Sequence, residues 1–415
     1  MRGARVALVG TGVIGSRIAP MLIESNPDLD LLVIDSTRDR ASALASSLRP
    51  ARVAFDACDA LDSPALAGCL RGCRVVVNAA HPAANISIMQ AALVARCHYL
   101  DLGGLFHKTL KQLELASDFE RRGLMAVIGM GAGPGITNVL GAYAAAQLDQ
   151  VEALDFAFAA HVSGDPGTTA FSPPYSIHTL MQEFAEESVQ YIDGALVTED
   201  PMAGAKLIEF PKPIGSVQCV YTLHSEPATV PASFASSGIR RVTWRLGLPD
   251  SVAGVLRALA SAGLGSTRPV TISGTTIRPV DALAVCLEAY GREHPSTGRL
   301  VEHGCLRAEA VGMRDGCRTR VTADCMLSRE GTVSMTSEIT AAPAAIVTML
   351  LAETNSVFVR PGVHPPERVV APGHLFPSLA ARGFRFTNTV HTENSALELM
   401  AIGAYPPTVA DGTSS

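Results

Sequence analysis

The run Val6-Ala7-Leu8-Val9-Gly10-Thr11-Gly12-Val13-Ile14-Gly15 decides how this chain is read. Its four aliphatic residues predict a strand buried on both faces, and the spacing Gly10-x-Gly12-x-x-Gly15 predicts a tight turn into a helix starting near Val13. Without Cβ atoms at Gly10 and Gly12 the backbone can approach a pyrophosphate. Its charge would meet the free N–H groups at Val13 and Ile14 and the positive end of the helix, while Gly15 lets helix and strand close up. The next apolar run, Asp30-Leu31-Leu32-Val33-Ile34-Asp35, ends in a carboxylate 20 positions after Gly15, where an acid accepts hydrogen bonds from a ribose diol. Strand, glycine turn, helix, strand and acid together predict a dinucleotide site. A carboxylate repels a 2′-phosphate, so Asp35 favours NAD; Arg38 and Arg40 just beyond keep NADP as the less favoured cofactor.

Outward from this motif the pattern is that of a doubly wound, Rossmann-type α/β sheet. Residues 38–48 read as a helix and 52–56 as a third strand, with Asp56 and Ala57 on the edge where an adenine lies; Asp56 is equally a cap for a helix beginning at Asp59 or Ser63. Residues 74–80 form a fourth strand opening into Asn78, Ala79 and Ala80, whose small side chains leave room for the second ribose. After a helix over 85–95 comes a strand over 97–104, whose carboxyl end carries Asp101, Gly103 and Gly104. Ligands gather at the carboxyl ends of parallel strands, so Asp101 is expected in the crevice, with a helix over 106–122 following it. Residues 124–129 read as the last strand of this domain. They lead into Gly131-Ala132-Gly133-Pro134-Gly135-Ile136-Thr137-Asn138, with Pro134 at a helix start.

From Val151 longer alternating strands signal a second domain of α+β type. The expected division is a nucleotide domain over 1–135, the α+β domain over 136–345, a segment over 346–404 returning to the nucleotide domain, and a disordered tail over 405–415. Within the α+β domain, strands are expected over 151–162, 217–223, 241–246, 300–311 and 318–327. A mobile loop is expected over 163–169, an amphipathic helix over 177–188, and an apolar helix over 340–351 with Pro343 near its start.

Composition bounds the rest. A length of 415 residues exceeds one compact core, and 47% hydrophobic against 17% charged residues describes a globular protein. A net charge of −6 with no basic run offers nothing to nucleic acid or an anionic membrane surface. The first strand begins almost at Met1 and no apolar run reads as long enough to span a bilayer, so a cytoplasmic protein is expected. Nine cysteines without a Cys-x-x-Cys pair read as reduced structural thiols, and no metal site is expected. Trp244 reads as core.

With these pieces in place the chain resembles the saccharopine dehydrogenase-like oxidoreductases, and within them the lysine 6-dehydrogenase branch. The resemblance is carried by residues 6–15, Phe55-Asp56-Ala57, Val75-Val76-Val77-Asn78-Ala79, Tyr99-Leu100-Asp101-Leu102-Gly103-Gly104, Gly133-Pro134-Gly135 with Asn138, residues 147–152, and Gly362 to Val370. It implies NAD(P)-linked chemistry at a carbon–nitrogen bond of an amino acid and a Rossmann-type nucleotide domain with an inserted α+β catalytic and dimerisation domain, whose sheet suits a homodimer or homotetramer. It also implies oxidative deamination of a side-chain amine to an aldehyde or cyclic imine. His81, and the segments 161–176 and 222–229, depart from the branch where the substrate pocket should be.

Hydride loss from an amine carbon requires a neutral nitrogen, so a base is needed. Asp101 is expected mainly as amine anchor, with His224 or His161 as base and Glu226 near by; His81, Gly103, Gly135, Asn138 and Tyr175 are the expected substrate contacts. Arg240, Arg241 and Arg245 are available to hold a carboxylate. Three other readings stay open: a reductase condensing an amine with an oxo acid or aldehyde, of saccharopine or carboxynorspermidine type; a lyase or transferase with tightly held NAD; and a non-catalytic nucleotide-binding regulator.

Overall fold

A computed structural model describes residues 4–48, 52–165, 175–294, 299–331, 334–353, 356–393 and 398–401. Strands β1 (Arg5–Val9), β2 (Asp30–Asp35), β3 (Val53–Ala57), β4 (Val75–Asn78), β5 (His98–Asp101) and β6 (Met125–Val127) lie parallel in the spatial order β6-β5-β4-β1-β2-β3. Their near-continuous apolar runs follow from burial on both faces. Val6, Leu8, Val33, Val75, Val77 and Leu100 face the helices Gly15–Ser25 and Met335–Ala352. Residues of the other parity, Ala7, Val9, Ile34, Val76 and Tyr99, face the helices Ser63–Cys69 and Asn85–Ala95.

Three expectations change here. Residues 124–129 do not close the sheet, because Gly362–His364 pairs in parallel outside β6 as a seventh strand. The expected helix over 106–122 is two helices, Leu105–Leu113 and Ala116–Arg121. The turn between them lets Phe119 reach the sheet, where it is fully buried. The cap of Ser63–Cys69 is Asp62, accepting from Ala65 N at 3.0 Å, whereas Asp56 accepts from the N–H of its neighbour Ala57.

The second sheet is mixed. Its strands are β7 (Gln150–Asp165), β8 (Ser188–Ile192), β9 (Ala195–Glu199), β10 (Lys206–Phe210), β11 (Gly215–Tyr221), β12 (Arg241–Gly247), β15 (Arg299–Arg314) and β16 (Cys317–Glu330), with β18 (Arg385–Thr392) and β19 (Glu398–Ala401). The strands β13 (Val270–Ile272) and β14 (Thr275–Ile277) form a separate hairpin, and Gly362–His364 is β17. The main path is β10-β11-β12-β7-β15-β16-β18-β19, and β8 pairs with β12 and β9. Residues 163–165, expected in a mobile loop, belong to β7, held by pairing with β15; residues 166–169 lie outside the described residues. The helix expected over 177–188 ends at Ala185, since Ser188 already pairs with β9.

The segment after 346 serves both sheets: β17 joins the nucleotide sheet, whereas β18 and β19 extend the mixed one. The expected tail over 405–415 lies outside the described residues. The apolar helix starts at Met335, and Pro343 sits in its interior. An interior proline costs about 3 kcal/mol. Packing between the helix Gly15–Ser25 and strands β15 and β16 outweighs that, leaving Ile339, Ala342 and Val347 at most 1% exposed. This helix is, by length and composition, apolar enough to cross a bilayer, which corrects the expectation that no segment is; 72% of its apolar window is instead buried inside the fold.

Candidate active site

The glycine turn does two jobs. A Cβ on Gly10, whose φ is +98°, would stand 2.7 Å from the Ala79 carbonyl and the Ala80 nitrogen, and one on Gly15 would stand 1.9 Å from the Gly10 oxygen. These glycines therefore exist for internal packing against the end of β4. At Gly12 a Cβ would meet nothing within 4 Å, so open space lies over the turn. The helix behind it has no side-chain cap, and Val13 is 73% exposed. An open, uncapped helix start over a glycine is a place a pyrophosphate fits.

Asp35 closes the far side of this turn. Its carboxylate accepts from Thr11 N (2.9 Å), Thr11 Oγ1 (2.7 Å) and Thr37 N (3.0 Å). Burial pushes its pKa up, but the bonds from Thr37 and Thr11 outweigh it and hold the carboxyl below its ordinary value. Arg38 lies over the Phe55 ring, 5.2 Å from its centre. Asn78 is fixed by Asn85 Oδ1 (2.9 Å) and Tyr99 (3.0 Å), with its own Oδ1 taking the Ala80 N–H (3.0 Å), which sets the turn Ala79-Ala80.

Asp101 stands at the carboxyl end of β5 but is 1% exposed and turned into the protein. Oδ1 accepts from Gly103 N (2.9 Å) and Gly129 N (2.7 Å), and Oδ2 accepts from Tyr99 Oη (2.8 Å) and from Gln112 Nε2. It ties the loops after β5 and β6 together. Burial pushes its pKa up despite these donors.

The loop after β6 is where the two sheets meet. Gly135, with φ +129°, begins the helix Ile136–Ala145; a Cβ there would stand 2.0 Å from the Gly131 oxygen. Asn138 accepts from Gly135 N and donates to Glu367 Oε2, both at 2.9 Å. Thr137 donates to Glu226 Oε1 at 2.7 Å. Glu226 in turn bonds His224 Nδ1, and the His224 ring is stacked on Trp244, centroids 3.7 Å apart. Gly133 is the point of closest approach, since a Cβ there would stand 2.7 Å from the indole and 3.4 Å from His224 Cε1.

His224 is 5% exposed, Glu226 fully buried and Glu183 3% exposed. Burial works against the His224 cation, but the charges of Glu226 and Glu183 and the Glu226 bond overcome it, so its pKa rises. Burial pushes Glu183 up to about 7, while the His224 charge and a hydrogen bond from Tyr175 pull the other way. Ser225 Oγ and Gln190 Nε2, beside His224 and Trp244 in the fold, are buried without a hydrogen-bond partner among the described residues. With Nδ1 held by Glu226, Nε2 of His224 is the nitrogen left for a ligand's proton. The cluster offers a buried, acid-flanked imidazole against the loop that follows β6.

Other expected site residues fall elsewhere. His161 stacks across the sheet on His303, centroids 6.0 Å apart, away from the His224 cluster. His81 accepts from Ala83 N at 3.2 Å and lies edge-on to His178. The arginines expected for a carboxylate are engaged: Arg241 forks onto Asp155 (3.1 and 2.7 Å), and Arg245 binds Tyr221 Oη (2.8 Å) and the Gly204 carbonyl (3.0 Å). Arg240 lies exposed, 3.9 Å from Asp193. Trp244 is core, as expected, but also the floor under His224. Glu183 and Glu367 were not expected. Glu183 had a signal, a carboxylate set among Leu180, Met181 and Phe184 on an apolar helix face.

Among the described residues no group of three or more His, Cys, Asp or Glu side chains could hold a metal, and all nine cysteines are free.

Residues 6–127 match the model of the saccharopine dehydrogenase NADP binding domain family. The whole fold superposes on apo saccharopine dehydrogenase (L-Glu forming) from Saccharomyces cerevisiae with a TM-score of 0.69 at 16% identity, covering 94% of this chain and 100% of that one. The chain thus carries a saccharopine dehydrogenase NADP binding domain over residues 6–127 and shares the fold of that enzyme. It is 25% identical over 323 residues to carboxyaminopropylagmatine dehydrogenase of Synechocystis sp., covering 75% of this chain and 79% of that protein. It is also 25% identical to carboxynorspermidine synthase of Vibrio alginolyticus, there covering 58% of this chain and 59% of the relative.

Proposed function

We propose that this saccharopine dehydrogenase-like chain moves a hydride between NAD(P) and a carbon–nitrogen bond of a cationic amine, with His224 handling the nitrogen's proton. The observation that carries this reading is the buried His224, bonded to Glu226 and stacked on Trp244 against the loop after β6. The nicotinamide, when bound, accepts or returns the hydride. The residues of the chain do the rest. An aliphatic amine at pKa 10.4 must give up a proton at a cost of about 4.6 kcal/mol at pH 7 before it can form an imine. Nε2 of His224 takes that proton, and Glu226 at Nδ1 fixes the tautomer and stabilises the resulting imidazolium. Gly10, Gly12, Val13, Ile14, Gly15, Asp35, Asn78, Ala79 and Ala80 hold the dinucleotide in this reading, and the ionised Asp35 favours NAD.

The leading form is oxidative deamination of a lysine-like side-chain amine. The engaged Arg241 and Arg245 speak against a substrate with several carboxylates, as saccharopine has. A second form, reductive joining of an aldehyde and a polyamine, is favoured by the names of the Synechocystis and Vibrio relatives. The test is absorbance of reduced nicotinamide with the purified protein. Reduction of NAD by lysine with release of ammonia supports the first form. Oxidation of NADH or NADPH only when an amino-acid aldehyde and a diamine are both present supports the second. No redox change in either direction, with dinucleotide bound, overturns the proposal.

A further inference from the structure

Resting on that reading, the geometry points to Lys108 as the residue that binds a carboxylate on the amine substrate, with His81 beside it. His81 on the turn after β4, the helix Leu105–Leu113 and the helix Ile177–Ala185 meet at one mouth: His81 lies edge-on to His178, and the charges of Lys108 and His178 both act on it. Leu105 and Phe106 pack on Leu223, the residue before His224, and on Val189. Lys108 is one turn beyond Leu105, on the same side of the helix. Its backbone follows directly on the Asp101 to Gly104 loop, and a Cβ on Gly104 would stand 3.2 Å from Lys108 Cβ.

Among the described residues the His178 and Arg278 charges near this mouth have an ionic partner. His178 Nε2 meets Asp281 Oδ1 at 3.0 Å, and Arg278 forks onto the same carboxylate at 2.6 and 2.9 Å. Glu186 accepts from Gln182 at 3.2 Å. Lys108, by contrast, has no hydrogen bond or ion pair among the described residues although it is partly buried. Burial pushes its pKa down, and the nearby Glu186 charge offsets this only in part. The His81 pKa is likewise pushed down, by burial first and then by the Lys108, His178 and Arg278 charges. A half-buried cation without a counter-ion costs stability unless a ligand supplies one. The mouth thus carries the Lys108 cation, while the carboxyl groups of Glu183, Glu226 and Glu367 lie deeper as hydrogen-bond acceptors. A substrate carrying an amine at one end and a carboxylate at the other matches both.

The test uses Trp244, the only tryptophan, as reporter. Lysine and 1,5-diaminopentane, which differ by one carboxylate, are titrated into the NAD-loaded protein while fluorescence is followed. Wild type should bind lysine at least ten-fold more tightly than the diamine, and Lys108→Gln should lose about ten- to a hundred-fold on lysine, bringing the two together. Lys108→Arg should restore most of the preference, and Lys111→Gln, an exposed lysine on the same helix, should leave it intact. Equal binding of the two amines by wild type, or an undiminished preference in a folded Lys108→Gln, overturns the proposal. Lys108-dependent lysine binding without redox turnover would sink the proposed function alone; turnover of lysine that ignores Lys108→Gln would sink this inference alone.

Discussion

The imidazole of His224 lies flat on the indole of Trp244, with ring centroids 3.7 Å apart and planes 7° from parallel. The indole is pinned from its other groups: Nε1 donates to Thr222 Oγ1 at 3.0 Å and the backbone N–H to Gln190 Oε1 at 2.9 Å. A protonated imidazole in this position interacts with the ring face and quenches its emission. Because the His224 pKa is raised above 6.5, the ring stays protonated through pH 6.5 and emission should climb only above it. His224→Gln should abolish that climb. An identical pH profile in wild type and variant would show that the stacked ring does not titrate there.

The glycines of the turn should separate by role. Gly15→Ala places a methyl 1.9 Å from the Gly10 carbonyl oxygen, and backbone cannot yield cheaply, so a loss of about 1–3 kcal/mol in unfolding free energy is expected without any ligand. Gly12→Ala meets open space and should leave the unliganded thermal midpoint unchanged while weakening dinucleotide binding at least ten-fold. Thermal melts with and without NAD measure both. A Gly12→Ala protein that binds NAD normally would mean the dinucleotide lies elsewhere.

Asp101→Asn should act first on folding. Both carboxylate oxygens of Asp101 accept two donors each, from Gly103, Gly129, Tyr99 and Gln112. An asparagine amide turned toward either pair faces donor with donor. Each donor so orphaned costs about 1–3 kcal/mol, so for two donors a drop of about 2–6 kcal/mol is expected by urea denaturation. An Asn variant as stable as wild type but inactive would instead mark Asp101 as a group acting directly on substrate.

The nucleotide half was legible because strict local rules govern it. A strand buried on both faces, a glycine turn and an acid at the next strand's end are read from consecutive residues, and β1, β2 and the helix Asn85–Ala95 fall where their patterns place them. The long-range parts were not. Gly362–His364 is too short to announce itself as a strand, and only pairing with β6 makes it one. His224 and Glu226 could be singled out as titratable residues, but Glu183, Thr137 and Glu367 join them from positions 41, 87 and 143 residues from His224 in sequence. No local pattern reports such a meeting. His161 illustrates the converse, a histidine whose partner, His303, is chosen by strand register.

His98 should make the fold acid-sensitive. It is 7% exposed at the start of β5, and its Nδ1 accepts the Met125 N–H at 3.0 Å, a bond that only the unprotonated nitrogen can make. Burial first, then the Arg74 charge, pushes its pKa down from 6.5 to about 4. The unfolded chain therefore binds more protons than the folded one between these values. Stability contributed by neutral His98 is fully present above pH 6.5 and is lost as pH falls toward 4, by about 3 kcal/mol over the whole window. His98→Gln keeps an acceptor but cannot titrate, so its unfolding free energy should fall less than that of wild type between pH 7 and pH 4.5. Urea denaturation at both pH values measures the difference. Parallel losses in the two proteins would mean that His98 does not couple folding to protons.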